Sequence, residues 1–247
     1  MLIEPTMEAL KEMKLFGMAE AWAEQQRKPE FTGLGFDERF GMLVEAEKTH
    51  RLNRRIGRNL DEAKLKHSRA CIEDIDYSDK RALDKAVVRQ LGTCGWVKDH
   101  QSIVITGPTG VGKTFVACAL AQQAVRKGYR AFYRRSTRLF DELLQARADG
   151  SYPRLLKKLA KVDVLVLDDW GMHRVDETQR RDLMEVLDDR YAERSTILTS
   201  QLPISKWHDH LGDPTTADAI CERILHRSHK IALKGGSRRK EVDNATK

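Results

Sequence analysis

The sequence has no run of about eighteen or more apolar residues, so no segment reads as a membrane span. Glu4 and Glu8 interrupt the N-terminus too early for an export signal. Cysteine is scarce: Cys71, Cys94, Cys118 and Cys221 are scattered, and no C-x-x-C pair occurs. That spacing argues against a disulfide framework or a zinc site and suits the reduced thiols of a cytoplasmic protein. His208 with His210, and His226 with His229, have no cysteine or carboxylate cluster to complete a metal site, so they read as solvated or packing histidines. No internal repeat or low-complexity tract is present. What remains is a chain of 247 residues, long enough for one large domain or a core domain plus a small one. Its formal net charge of +7 admits an acidic partner, of which nucleic acid is the commonest.

The most informative stretch is Gly107-Pro108-Thr109-Gly110-Val111-Gly112-Lys113-Thr114, which fits G-x-x-x-x-G-K-[ST] at every fixed position. Ser102–Thr106 before it has the length and β-branching of a buried strand, and Phe115–Val125 after it reads as a helix stopped by Gly128. Strand, glycine turn and helix are the context a phosphate-binding loop requires. The glycines let successive N–H groups point at one spot, and the helix N-terminus adds its positive dipole end. Lys113 is then placed for the β- and γ-phosphates of a nucleoside triphosphate, and the Thr114 hydroxyl for Mg²⁺.

Val164-Leu165-Val166-Leu167-Asp168-Asp169 carries the second signal. Continuous apolar residues suit a strand buried on both faces, and ligands collect at the carboxyl ends of parallel strands. Asp168 is therefore expected in the Mg²⁺ shell, and Asp169 nearer the γ-phosphate, where it could orient or activate the attacking water. Thr196–Gln201 reads as another buried strand ending in polar side chains. A polar group there could report on the bound nucleotide, although the same pattern suits a plain strand-to-loop transition before Pro203. Further elements are expected as a strand at Arg130–Tyr133 and helices from Lys80 to Leu91, from Ser136 through Leu144, from Arg154 to Ala160 and from Glu177 to Ala192.

Residues 1–70 look helical throughout. Thr6 is expected to cap a first helix, Gly17 to interrupt it, and a second helix to end near Lys28-Pro29. A loop spans 31–35, and helical spacing runs from Phe36 to about Lys66. The later part of that helix is strongly basic, with Lys48, Arg51, Arg54, Arg55 and Arg58 among its cations. Such a run is either a solvated face or a stripe that follows a phosphate backbone. Arg51, Arg55 and Arg58 share one side with few acids nearby, which favours contact with duplex DNA, largely independent of base sequence. The segment 71–79 breaks the helical period and is taken as a linker. It divides an N-terminal DNA- or partner-binding domain, 1–70, from an ATPase domain, 80–247.

The P-loop, Asp168-Asp169-Trp170-Gly171, Thr199-Ser200-Gln201-Leu202-Pro203, Trp207-His208, Gly212-Asp213-Pro214-Thr215 and Ala217-Asp218-Ala219-Ile220 follow one another as in the IstB-type transposition helper ATPases. These are similar to the DnaC-type helicase loaders of the AAA+ initiator branch, and the resemblance covers nearly the whole chain. It implies an α/β fold: a P-loop AAA+ core with a parallel sheet flanked by helices, preceded by a small all-α domain. The tail after Arg239 is too short for a C-terminal helical lid. It also implies an ATPase using ATP and Mg²⁺, which binds duplex DNA, assembles with itself and regulates an IstA-type transposase within an insertion sequence. Residue by residue, Lys113 and Thr114 match the Walker A lysine and threonine, and Asp168 the Walker B aspartate. Asp169 stands where most AAA+ ATPases have glutamate, its carboxylate retracted by about one C–C bond. Sensor 1 falls on Ser200 or Gln201. Arg223 matches the arginine finger, with Arg227 one turn later as fallback and a surface ion pair as the plainer reading. Arg239 matches a sensor-2-like arginine that would touch the nucleotide. The resemblance leaves a second function open, a helicase loader whose N-terminal helices grip a helicase. A small-molecule kinase shares the P-loop but does not account for the arginine-rich C-terminus.

Overall fold

The computed structural model describes residues 3–77 and 82–237. The chain divides into two compact units, Met1–Arg58 and Asn59–Lys247. The division falls inside a helix, ahead of the segment 71–79 that the sequence marks as a linker.

The first unit is helical. Its elements are α1 (Ile3–Glu12), α2 (Phe16–Arg27) and a short 3₁₀ turn at Pro29–Phe31; α3 (Phe36–Ala63) begins here and continues past the boundary. Thr6 lies within α1 and does not cap it, and the first break comes at 13–15, where Lys14 adopts φ 59°. Gly17 does not interrupt the chain but sits in α2 against α3. A Cβ there would come within 2.6 Å of the Ala46 carbonyl oxygen, so the close approach of the two helices requires glycine. Glu47, buried on α3, accepts from the Met18 amide at 3.2 Å and from Arg51 Nε at 2.6 Å. Burial works to raise the Glu47 pKa, but the bonds from Arg51 and from the Met18 and Gly17 amides outweigh it, and the net shift is downward.

The second unit is a five-stranded sheet in the order β2-β3-β4-β1-β5, with every pairing parallel. The strands are β1 (Ser102–Thr106), β2 (Ala131–Arg135), β3 (Val164–Trp170), β4 (Ser195–Ser200) and β5 (Ser228–Ala232). Eight α-helices surround them among the described residues: α4 (Lys85–Gly92), α5 (Gly95–Lys98), α6 (Lys113–Arg126), α7 (Ser136–Asp149), α8 (Tyr152–Lys161), α9 (Glu177–Asp188), α10 (Trp207–Leu211) and α11 (Pro214–Leu225). Ile103, Val104 and Ile105 of β1, Val164 to Leu167 of β3, and Ile197 and Leu198 of β4 are all buried, as strands covered on both faces must be. α6 is apolar nearly all round for the same reason: it is buried from Val116 to Gln122.

Several boundaries differ from the sequence expectation. α3 stops at Ala63 and not at Lys66, because Lys64 turns left-handed at φ 52°, and Leu65, Ala70 and Ile75 then pack into the second unit without regular structure. α4 starts at Lys85 because Asp84 caps it, its carboxylate accepting from the Ala86 amide at 2.7 Å; Lys80 lies outside the described residues, as do Ser78 and Asp79 of the linker. α9 ends at Asp188, and Ala192 adopts φ 58° in the turn that follows. Among the described residues no helix follows β5, and none is long and apolar enough to cross a membrane.

Candidate nucleotide site

Parallel pairing brings the carboxyl ends of β1, β3 and β4 level, with Thr106 opposite Ser200 and Leu167 opposite Leu198. The loop that leaves β1 turns through Gly107, Gly110 and Gly112, all at positive φ. At Gly110 a side chain is excluded twice over. Its φ is 81°, and a Cβ would lie 2.2 Å from Ser237 Oγ, because the segment after β5 passes against the loop. α6 then starts at Lys113 with no side chain capping its first amides. An uncapped helix start behind a glycine turn is a cradle for phosphate.

Lys113 is buried at 6 % exposure, and its Nζ donates to the Gly107 and Pro108 carbonyls at 2.8 Å each. Burial pulls its pKa below the usual lysine value, while Asp169 and Asp168 pull it back up. Asp168 is fully buried, and both its oxygens are engaged. Oδ1 accepts from Thr114 Oγ1 at 2.8 Å and from Thr199 Oγ1 at 2.6 Å, and Oδ2 accepts from the Tyr133 hydroxyl at 2.6 Å. Burial and that hydrogen bond push the Tyr133 pKa far above its ordinary value, so the phenol keeps its proton.

Asp169 sits where the β3–β4 register slips between Leu167 and Trp170, and it takes φ 59°. Aspartate tolerates that conformation better than most residues. The bulge turns its carboxylate to Arg135 at the end of β2, with Nε 3.3 Å from Oδ2, while its amide donates to Thr199 Oγ1 at 3.0 Å. The two sensor alternatives separate in space. Gln201 Oε1 accepts from Thr109 Oγ1 of the loop at 2.5 Å. Ser200 is fully buried and turned away, donating to the Trp170 carbonyl at 2.8 Å and accepting from the Leu202 amide.

Thr199, Tyr133 and Arg135 are not among the site residues expected from the sequence. Thr199 was visible in part, as a hydroxyl at the end of an apolar strand. Tyr133 and Arg135 have no local signal, since each meets its partner only when β2 pairs with β3.

The other expected residues lie elsewhere. Arg223, on α11, pairs with Asp188 at the end of α9, and its Nη1 donates to the Ala219 carbonyl. Arg227 donates to the Asp99 carbonyl at 3.1 Å. Both line a small cleft with Ser102 and Thr196, where β1 and β4 begin, at the opposite end of the sheet from the P-loop. Arg239 lies outside the described residues, as do Arg238 and Lys240. In the first unit, Lys48, Arg51, Arg54, Arg55 and Arg58 are exposed and line one groove of about 1030 Å³. Lys48 pairs with Glu45, Arg51 with Glu47, and Arg54 lies over the Phe16 ring at 5.9 Å.

A family model described as IstB-like ATP binding protein matches residues 8–245. An insertion-sequence ATP-binding protein of Sinorhizobium fredii is 45% identical over 240 residues, 97% of this chain and 98% of that protein. The ATP-binding protein of insertion sequence IS1162 from Pseudomonas fluorescens is 48% identical over 205 residues, 83% of this chain and 89% of its own length. Among solved structures, the DnaC helicase loader superposes with a TM-score of 0.55 at 19% identity, over 67% of this chain and 97% of that one. The initiator DnaA bound to AMPPCP and single-stranded DNA gives 0.56 at 17%, over 71% of this chain and 54% of that one. The two structural likenesses show a fold shared with DnaC and DnaA.

Proposed function

The chain belongs to the IstB-like ATP-binding protein family, and on that premise we propose that it binds and hydrolyses ATP at residues 107–114 and serves an insertion sequence as a DNA-binding helper of its transposase. The observation that carries the catalytic half is the hydrogen-bonded set of Thr114, Asp168 and Thr199 beside Lys113, at the carboxyl ends of three adjacent strands. Lys113 exchanges its two carbonyl partners for the β- and γ-phosphates, and the first amides of α6 and the turn hold the remaining phosphate oxygens. Mg²⁺, when bound, would supply positive charge to offset the negative charge that develops during transfer. Thr114 and Asp168 are the residues that fit it, a hydroxyl and a carboxylate already joined at 2.8 Å. Thr199 and Tyr133 fix the orientation of Asp168, and Asp169 positions the attacking water once it parts from Arg135. Gln201, already on the loop through Thr109, is the better placed of the two sensor candidates.

The DNA-binding half rests on the exposed cations of α3, and the transposase partner on the insertion-sequence relatives. An IstA-type transposase is the partner this reading assigns. The helicase-loader reading shares the fold, but relatives at 45 and 48% identity carry insertion-sequence names, and that favours the helper.

The test is hydrolysis with and without Mg²⁺ and duplex DNA. Lys113→Ala should lose ATP binding, because it removes the charge placed on the phosphates. Asp168→Asn should keep some binding and lose Mg²⁺-dependent turnover. Equal rates in wild type and Asp168→Asn would sink the assignment.

A further inference from the structure

The ATPase unit carries a second concentration of positive charge that the nucleotide site does not use. Edge strand β2 and helix α8 wall a groove of about 530 Å³ whose cations besides Arg134 are Lys64, Arg130, Arg154, Lys157, Lys158 and Lys161. All six are exposed, and among the described residues no carboxylate lies within ion-pair distance of any of them. Arg134, which also lines the groove, shows what satisfied charge looks like here: its Nε lies 2.9 and 3.0 Å from the two oxygens of Glu142. Glu62 is the single acid among the lining residues.

The groove is held in shape. Arg130 Nη2 donates to the Lys161 carbonyl at 2.8 Å, and its amide to Asp163 at 2.8 Å, which ties the start of β2 to the end of α8. The buried Phe132 ring lies under both Arg134, with Cζ at 3.9 Å, and Lys158, with Nζ at 4.4 Å. That ring is too covered to stack on a base, so the groove offers charge and no reading of sequence. Arg154, Lys157, Lys158 and Lys161 follow a helical three- and four-residue spacing, a row about 10 Å long at the helical rise. Unneutralised like charges in a row call for a polyanion with charges in a row.

We propose that this groove binds the phosphate backbone of duplex DNA, as a track on the ATPase unit in addition to the α3 cations. The inference rests on the reading of the chain as a DNA-binding protein. It is tested on the full chain by fluorescence anisotropy with a labelled duplex of random sequence between about 50 and 200 mM salt. The triple variant Lys157→Ala, Lys158→Ala, Lys161→Ala should weaken binding at least about tenfold and flatten the log–log salt slope by about 2 to 3, near 0.9 for each lost contact. The corresponding triple arginine variant should restore both, and binding of a fluorescent ATP analogue should be unchanged in each. A triple alanine variant that titrates like wild type, where wild type itself binds with a steep slope, overturns the groove alone. A wild type without salt-dependent duplex binding overturns the broader reading with it. Unchanged DNA curves together with lost binding of polyglutamate would show that the groove takes an acidic protein segment, and would also overturn the proposal.

Discussion

Three hydroxyls converge on the Asp168 carboxylate, and each can be removed with little change of shape. Tyr133→Phe strips the donor from a fully buried oxygen, Oδ2, and should cost about 1–3 kcal/mol of stability, read as a lower urea midpoint at unchanged slope. Of the residues that meet here, Lys113, Thr114, Asp168 and Asp169 were legible because motif and strand pattern mark them in a few consecutive letters. Tyr133 and Arg135 were not, since their partners come 35 and 34 residues later, on the neighbouring strand. A second residue makes a pH test. His210 packs edge-on against Trp170 at 5.7 Å, and burial, then Arg174, lowers its pKa below 6.5, with a bond to the His173 backbone opposing in part. Below pH 6.5 the unfolded chain takes up a proton that the folded chain resists. The stability this gives is complete above 6.5 and is lost as pH falls toward the folded pKa. His210→Phe keeps the aromatic contact, and its urea midpoint should fall less than that of wild type between about pH 6.5 and 5.

At the scale of elements, the buried Arg190 decides how three segments meet. Its guanidinium donates to the carbonyls of Leu159 and Val162 at the end of α8, to the Ser195 carbonyl that opens β4, and to Thr196 Oγ1. Burial, with Arg194 nearby, pulls its pKa below the usual arginine value. Arg190→Leu leaves those carbonyls without this donor and should destabilise the unit by at least about 3 kcal/mol, with any loss of ATP binding following from unfolding. Arg190 looks like a surface cation in the sequence, since nothing local tells a buried arginine from an exposed one. The strands divide in the same way. β1, β3 and β4 announce themselves as apolar runs, because a central parallel strand is covered on both faces. β5 does not, since Ser228, His229 and Lys230 are polar and only Ile231 is buried; its strand character comes from pairing with β1. α11 was legible only as a family motif, although Asp213 caps it, accepting from Thr216 at 2.7 Å, and Pro214 stands in its first turn.

For the whole molecule the question is where Arg223 finds a phosphate. It lines the cleft where β1 and β4 begin, beside Asp188, whereas the P-loop leaves the other end of β1, a strand about 13 Å long at the rise of extended chain. A role for Arg223 in hydrolysis therefore has to be played on a neighbour's nucleotide. Such a contact is heterologous, and repetition closes it into a ring or extends it as a helix. Exposed ion pairs contribute about 0–1 kcal/mol, so exchanging Asp188 for a neighbour's γ-phosphate costs little. ATP should then drive assembly, a duplex laid along it would meet each subunit's cations in turn, and loss of the γ-phosphate should loosen the interface. Light scattering with a slowly hydrolysed ATP analogue and duplex DNA measures this. Arg223→Ala should bind the analogue normally yet remain small. Asp188→Asn, which frees the arginine, should assemble at lower analogue concentration than wild type. If Arg223→Ala assembles like wild type, the finger moves to Arg227; if removing either leaves assembly intact, the nucleotide is not shared between subunits.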